Sequence, residues 1–275
     1  MIARRTFLAA AFASPRPKLE GLKIGVMAGS LGMREEPVAA IQTARGLGFD
    51  GVELIIGMAG ADNRMFLDNP ALQAQCVAEA RRHRMPLSAT VLNILHSEHL
   101  KNQEIARKRV IDGIEITRRL GAKIMLIPFF NQAAPQTEEE KDHLATIVKD
   151  IVRHAETAGV VLGFENTLSA EDNARILDRV ASGAFKVFYD VGNLTRAGYD
   201  VLKEIRWLGR ERICQFHLKD EGYLGEGKID FRKVLAAIDA IGFTGYANFE
   251  TRSPSNNVEA DMRRNLAFIR GLIVE

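Results

Sequence analysis

Four short apolar runs in the second half of the chain each stop at a side chain able to bind a metal ion or move a proton. Val160-Val161-Leu162-Gly163-Phe164 ends at Glu165, and Val187-Phe188-Tyr189 ends at Asp190. Ile213-Cys214-Gln215-Phe216 ends at His217, and Tyr246-Ala247-Asn248-Phe249 ends at Glu250. Runs of this character suit strands buried on both faces, where an ionised carboxylate finds no water. Each acid must then sit at its strand's exit, paired or metal-bound. One acid at a strand end is ordinary. Glu, Asp, His and Glu at four consecutive strand ends form a ligand set.

Two Glu, one Asp and one His offer mostly hard oxygen donors and one imidazole. That mix suits Mn²⁺, Mg²⁺ or Co²⁺, and suits Zn²⁺ less than a His- or Cys-rich set would. Three carboxylates around a dication leave a net charge of about −1, so the ion stays bound while one carboxylate handles a proton. Such an ion acts as a Lewis acid on the carbonyl and hydroxyl oxygens of a keto-sugar, stabilising the enediolate left by removal of a carbon-bound proton. A glutamate on each face of that planar intermediate permits removal from one side and delivery from the other. This is the chemistry of epimerisation or aldose–ketose isomerisation.

For those side chains to meet, the elements carrying them must converge. Residues 23–27 read as a first strand and 37–47 as a helix, with Pro37 in its first turn and Gly48 at its stop. Residues 51–56, 87–92 and 123–127 read as the next strands, with helices over 71–84 and about 99–120 between them. The longer helix is predicted to turn Ile105, Val110, Ile114 and Leu120 inward. Thr137 and Glu140 predict a capping box opening a helix that runs to Ala158. The ligand-bearing strands follow, separated by helices near 172–182, 201–209 and 231–241, and a last helix begins after Asn257.

Eight strands, each followed by a helix, leave an open doubly wound sheet or a closed (β/α)8 barrel. Ala28-Gly29-Ser30-Leu31-Gly32 lacks the spacing of a dinucleotide-binding turn. An open sheet would spread successive strand ends over roughly 15 Å. Only closure brings them to one point. The expected fold is α/β, a TIM barrel, as a single catalytic domain over residues 18–275.

The 275 residues suffice for one large core. A formal charge of +2 gives no reason to expect nucleic acid or a membrane surface as partner. Cys76 and Cys214 make no disulfide framework and read as small buried hydrophobes. Residues 1–17 read as a signal or a frayed basic tail. Arg4-Arg5-Thr6-Phe7-Leu8 resembles a twin-arginine export motif, and Ala11-Phe12-Ala13 reads as a cleavage site. The expectation is periplasmic export with cleavage near Ala13, and a cytoplasmic protein otherwise.

Phe164-Glu165-Asn166, Tyr189-Asp190-Val191-Gly192-Asn193-Leu194, Phe216-His217-Leu218-Lys219-Asp220 and Glu250 together resemble the sugar phosphate isomerase/epimerase family. This is the xylose isomerase-like TIM-barrel group, which includes ketose and pentulose-phosphate 3-epimerases. Gly48-Phe49-Asp50-Gly51-Val52-Glu53-Leu54 and Leu224-Gly225-Glu226-Gly227 fit as well, so the resemblance covers nearly all the chain after about Lys23. It implies that Glu165, Asp190, His217 and Glu250 bind one divalent metal, Mn²⁺ ahead of Mg²⁺, Co²⁺ or Zn²⁺. It implies too that Glu165 and Glu250 double as the acid/base pair, and that the partner is a sugar or sugar phosphate. Many ketose 3-epimerases carry a substrate-contacting His where Asn193 stands, and the Asn form is closer to the pentulose-phosphate branch. Tyr223 occupies the nearest place to a sugar-contacting arginine. Such barrels often pair through their helices, which leaves a homo-oligomer open.

Further substrate contacts are expected from Asn193, from Glu53 at the second strand, from His96 after the third, and from Lys219 and Arg252 beside the ligands. Asp220 joins Lys219 as a candidate to orient His217 or substrate. His83, His143 and His154 fall within helices, away from the rim, and Glu138-Glu139-Glu140-Lys141 is a helix start. Two other functions compete with this reading. A lyase removing water from a keto-polyol such as a keto-inositol also begins with deprotonation beside a carbonyl. An exported, non-catalytic carbohydrate-binding protein needs neither two Glu nor a metal. An endonuclease would need more His at strand ends and a basic groove.

Overall fold

Parallel strands pair in chain order and close on themselves, with the last strand beside the first. They are β1 (Leu22–Met27), β2 (Gly51–Gly57), β3 (Leu87–Leu92), β4 (Ile124–Phe129), β5 (Val161–Asn166), β6 (Phe185–Asp190), β7 (Ile213–Leu218) and β8 (Gly245–Phe249). Around them lie α1 (Pro37–Leu47), α2 (Pro70–His83), α3 (Glu104–Leu120), α4 (Glu138–Ala158), α5 (Ala170–Val180), α6 (Val191–Arg196), α7 (Val201–Arg212), α8 (Phe231–Ala240) and α9 (Val258–Leu272). This computed structural model describes residues 19–60 and 62–273, so the twin-arginine-like motif and the Ala13 cleavage site lie outside the described residues. The expected TIM barrel is the observed fold.

Closure rests on a five-residue parallel register between β1 and β8, from Leu22 opposite Gly245 to Val26 opposite Phe249. One apolar layer fills the space between strands and helices, and a second fills the barrel itself with Met27, Ile55, Ala89, Val91, Leu126 and Phe188. Inward glycines make room for large neighbours. A Cβ on Gly163 would stand 2.9 Å from the Phe188 ring, and one on Gly25 would stand 2.0 Å from Asn248 Oδ1.

Most helix boundaries follow their sequence signals. α1 starts on Pro37 and stops at Gly48, whose φ of 91° is the left-handed conformation that terminates helices. Thr137 caps α4 through Glu140 N at 3.2 Å, while the Glu140 carboxylate reaches back one residue further, to Gln136 N at 2.5 Å. Two expectations change. The helix expected from about residue 99 starts at Glu104, after a turn, and Ile105 is 44% exposed. Ala106 takes the inward place in that first turn, in step with Val110, Gly113, Ile114, Thr117 and Leu120. The short helix α6, directly after Asp190, is an element that periodicity does not reveal. Cys76 and Cys214 are free thiols, and burial pushes them up to about 11 and about 12.

The loops after β7 and β8 are tied to α9 by one carboxylate. Asp261 accepts hydrogen bonds from Tyr223 Oη (2.8 Å), Ser253 Oγ (2.5 Å), Ser255 Oγ (2.7 Å) and Ser255 N (3.0 Å). Burial alone would raise its pKa, but the bonds from Ser253, Ser255 and Tyr223 hold it down to about 2. A depressed carboxylate stabilises the fold fully above its unfolded value, and loses that contribution as pH falls through its folded value. Asp261→Asn is therefore expected to melt a few degrees below wild type at pH 7. Urea unfolding at pH 7, 4 and 2.5 should show that gap closing toward acid; a gap independent of pH would mean that the charge is not what holds the loops.

Candidate metal centre

Asp190 ends β6 and begins α6. Its Oδ1 caps that helix by accepting from Asn193 N at 2.7 Å, which leaves Oδ2 buried, free of hydrogen bonds and 3.9 Å from His217 Nδ1. Gly192 permits this close helix start, since a Cβ there would lie 2.8 Å from Lys219 Cβ and 2.9 Å from Lys219 O. Asp190 pairs in register with His217 on β7, whose ring packs edge-on against Phe188 with centroids 4.5 Å apart. Glu165 is the next-to-last residue of β5, and Glu250 follows β8, where its N–H donates to Leu218 O at 3.2 Å.

The structure brings the four predicted ligands together. One donor atom from each of Glu165, Asp190, His217 and Glu250 lies within 4.8 Å of all the others. His217 Nδ1 is 3.2 Å from Glu165 Oε1, 3.3 Å from Glu250 Oε2 and 3.9 Å from Asp190 Oδ2. Lys219 Nζ donates to Glu250 Oε2 at 2.7 Å and to Asn193 Oδ1 at 3.3 Å, and stands 3.5 Å from Asp190 Oδ2.

The electrostatics show a shortage of positive charge. Burial pushes Asp190 up to about 8, against the pull of the Lys219 cation, and it also raises Glu165. Burial would depress the His217 imidazolium, but the charge of Glu53 and hydrogen bonds to Glu165, Glu250 and Glu53 carry it well above its ordinary value. Burial opposes the Glu250 charge, yet His217 and Lys219 hold that carboxyl well below the usual range. A group of oxygen donors with one imidazole, including the unbonded buried Asp190 Oδ2, fits a divalent cation, which would supply the missing charge.

Above the ligands opens a cleft of about 530 Å³. Of the expected substrate contacts, Asn193, His96 and Lys219 line it. His96 ends a 3-10 turn after β3 (Asn93–His96) and stacks on Phe130, with centroids 6.0 Å apart. Arg252 borders an adjoining cleft that shares Lys219, Glu250 and Arg196 with the first. Glu53 is placed differently from the expectation of a rim residue. It is the third residue of a strand that continues to Gly57, is 0% exposed, and points across the barrel to His217 and Asn248. It does not line the cleft.

Asp220 makes no hydrogen bond to His217: its carboxylate caps its own loop, accepting from Glu221 N at 2.9 Å and from Gly225 N and Gly227 N at 3.1 Å. Tyr223 turns away to Asp261 and lies under Arg264. Arg196 is one of the cleft residues missed from sequence; it ends α6 and donates to Asn193 Oδ1 at 3.3 Å. Its only signal was Asp190-Val191-Gly192-Asn193 as a helix start. His83 pairs with Glu79 at 2.7 Å on α2, far from the strand ends.

A family model described as xylose isomerase-like TIM barrel matches residues 41–272, and the chain belongs to that family. Over 212 residues it is 29% identical to the 2-epi-5-epi-valiolone 7-phosphate 2-epimerase of Actinoplanes sp., covering 73% of this chain and 76% of that one. Among solved structures, an L-ribulose 3-epimerase is similar with a TM-score of 0.76 and 19% identity, over 92% of this chain and 94% of the other. The D-psicose 3-epimerase of Clostridium cellulolyticum H10, solved with D-tagatose, also has a TM-score of 0.76, at 15% identity over 91% and 99% of the two chains. At those identities the structures bear on the fold.

The donor set predicts one divalent ion per chain. Mn²⁺ at about a hundred times its Kd should stabilise the protein by about 2.7 kcal/mol, a rise of roughly 5–10 °C in melting temperature. EDTA should reverse the rise, and Asp190→Asn should abolish it. Elemental analysis without stoichiometric metal, together with an unmoved melting curve, would count against the centre.

Proposed function

We propose that this protein is a metal-dependent sugar epimerase or isomerase, which removes a proton from carbon beside a carbonyl and returns it. The observation that carries the reading is the meeting of Glu165, Asp190, His217 and Glu250 at the floor of an open cleft. These four would hold a divalent cation, Mn²⁺ ahead of Mg²⁺, Co²⁺ or Zn²⁺, which would supply positive charge to the oxygens of a keto-sugar.

The two glutamates of this centre, Glu165 and Glu250, come from β5 and from the end of β8, on different sides of His217 in the ring. One glutamate takes the carbon-bound proton and the other delivers it, so configuration can change. Lys219 holds Glu250 and Asn193 together at the cleft wall and, with His96, offers donors to substrate hydroxyls. Met27, Val91, Leu126 and Phe130 give the cleft an apolar side that keeps water from the reacting carbon. The cleft volume of about 530 Å³ lies within the usual range for small-molecule sites.

The relatives' names support the reading, since each is an epimerase of a sugar or a related phosphate. Arg196 and Arg252, around the adjoining cleft, suit a phosphorylated substrate. Export through the twin-arginine-like segment belongs to the same proposal and rests on the sequence alone.

Deuterium wash-in from D₂O, followed by NMR over a panel of ketoses and ketose phosphates, tests this. Label should enter at one carbon without loss of water, whereas water loss would identify a lyase. Glu165→Gln and Glu250→Gln should each slow exchange by at least roughly 10²-fold. Full exchange in both variants would end the two-base mechanism.

A further inference from the structure

We infer that Glu53 is a positioning residue for His217: it fixes which ring nitrogen faces the other ligands, and thereby sets the affinity of the centre for a divalent cation. The inference rests on the metal-binding reading above and extends it to a side chain outside the ligand set.

The geometry is specific. His217 Nε2 lies 3.0 Å from Glu53 Oε2, on the edge of the ring opposite the nitrogen that faces Glu165, Asp190 and Glu250. A ring that gives Nδ1 to a cation must keep its proton on Nε2, and the Glu53 carboxylate is the acceptor that holds it there. Glu53 is held in its turn. Asn248 Nδ2 donates to the same Oε2 at 2.5 Å, and Asn248 sits opposite His217 in the β7–β8 register.

This contact crosses the barrel, because β1 and β8 lie between β2 and β7. Those intervening strands leave room for it. Gly25 on β1 pairs with Asn248, and a Cβ at Gly25 would stand 2.0 Å from Asn248 Oδ1. An inward alanine there would displace the amide that steadies Glu53. Glu53 itself is fully buried and does not line the cleft, and its direct contact with the ligand set is the one to His217.

A merely structural buried pair would change stability and leave metal affinity alone; a positioning residue changes affinity in a protein that stays folded. The full-length protein, titrated with Mn²⁺ by calorimetry, separates the two. Glu53→Leu should bind Mn²⁺ about 10–100-fold more weakly than wild type. Glu53→Gln, whose amide oxygen still accepts from Nε2, should fall between them. In the Zn²⁺-loaded wild type, ¹⁵N NMR should show His217 metallated at Nδ1 and protonated at Nε2.

Folded Glu53→Leu that binds Mn²⁺ as tightly as wild type overturns the positioning role while leaving the metal centre intact. Wild type that binds no divalent cation removes both. Should Glu53→Leu fail to fold, the Zn²⁺-loaded wild type decides, since a ring metallated at Nε2 is incompatible with this role.

Discussion

Four carboxylates, those of the buried Glu53, Glu165 and Asp190 and the partly exposed Glu250, crowd around one buried imidazole. Two like charges 4 Å apart repel by about 4 kcal/mol at the effective dielectric of a protein site, and among the described residues His217 and Lys219 are the cations paired with them. The strain is visible in Asp190 and Glu165, both of which burial pushes toward protonation. A barrel core gains nothing in stability from such an arrangement, because apolar side chains of similar size would pack there without desolvating charge. The cluster makes physical sense as a site that waits for a cation, with its cost offset by the rest of the core.

The backbone that builds the fold also aims the ligands. Asp190 shows this most directly, since one oxygen is occupied as a helix cap and the other is thereby turned inward. The glycine two residues later lets α6 begin against the Lys219 backbone, and Lys219 in turn reaches Glu250. Phe188 supports one side of the His217 ring and Glu53 its far edge, so the imidazole has little freedom to rotate. Ligand placement is thus shared between strand register, one helix start and one buried ring contact.

Much of this was readable in the chain, for chemical reasons. A carboxylate closing an apolar run is so costly inside a sheet that it marks a strand exit, which is why Glu165, Asp190, His217 and Glu250 stood out together. Barrel closure followed from asking where four such exits could meet. Depth was not readable. Alternation says that Glu53 points inward, but not how far below the rim it lies, and β2 runs on to Gly57 above it. Periodicity gave the buried face of α3 and not its first residue, so Ile105 was turned the wrong way. Six residues are too few to show a helical period, which hid α6 and with it Arg196. The loop roles of Asp220 and Tyr223 depend on contacts with residues distant in the chain, and no local pattern announces them.

The placement of Glu250 after the strand that seals the ring has a kinetic corollary. Until β8 docks, the donors on β5, β6 and β7 lack Glu250 as their fourth member, and parallel strand pairing of this kind is slow because its contacts join distant segments. A divalent cation that needed all four donors would therefore bind only after closure, in contrast to small zinc domains that are unfolded without their ion. Held there, it would lengthen the lifetime of the native state without hastening its formation.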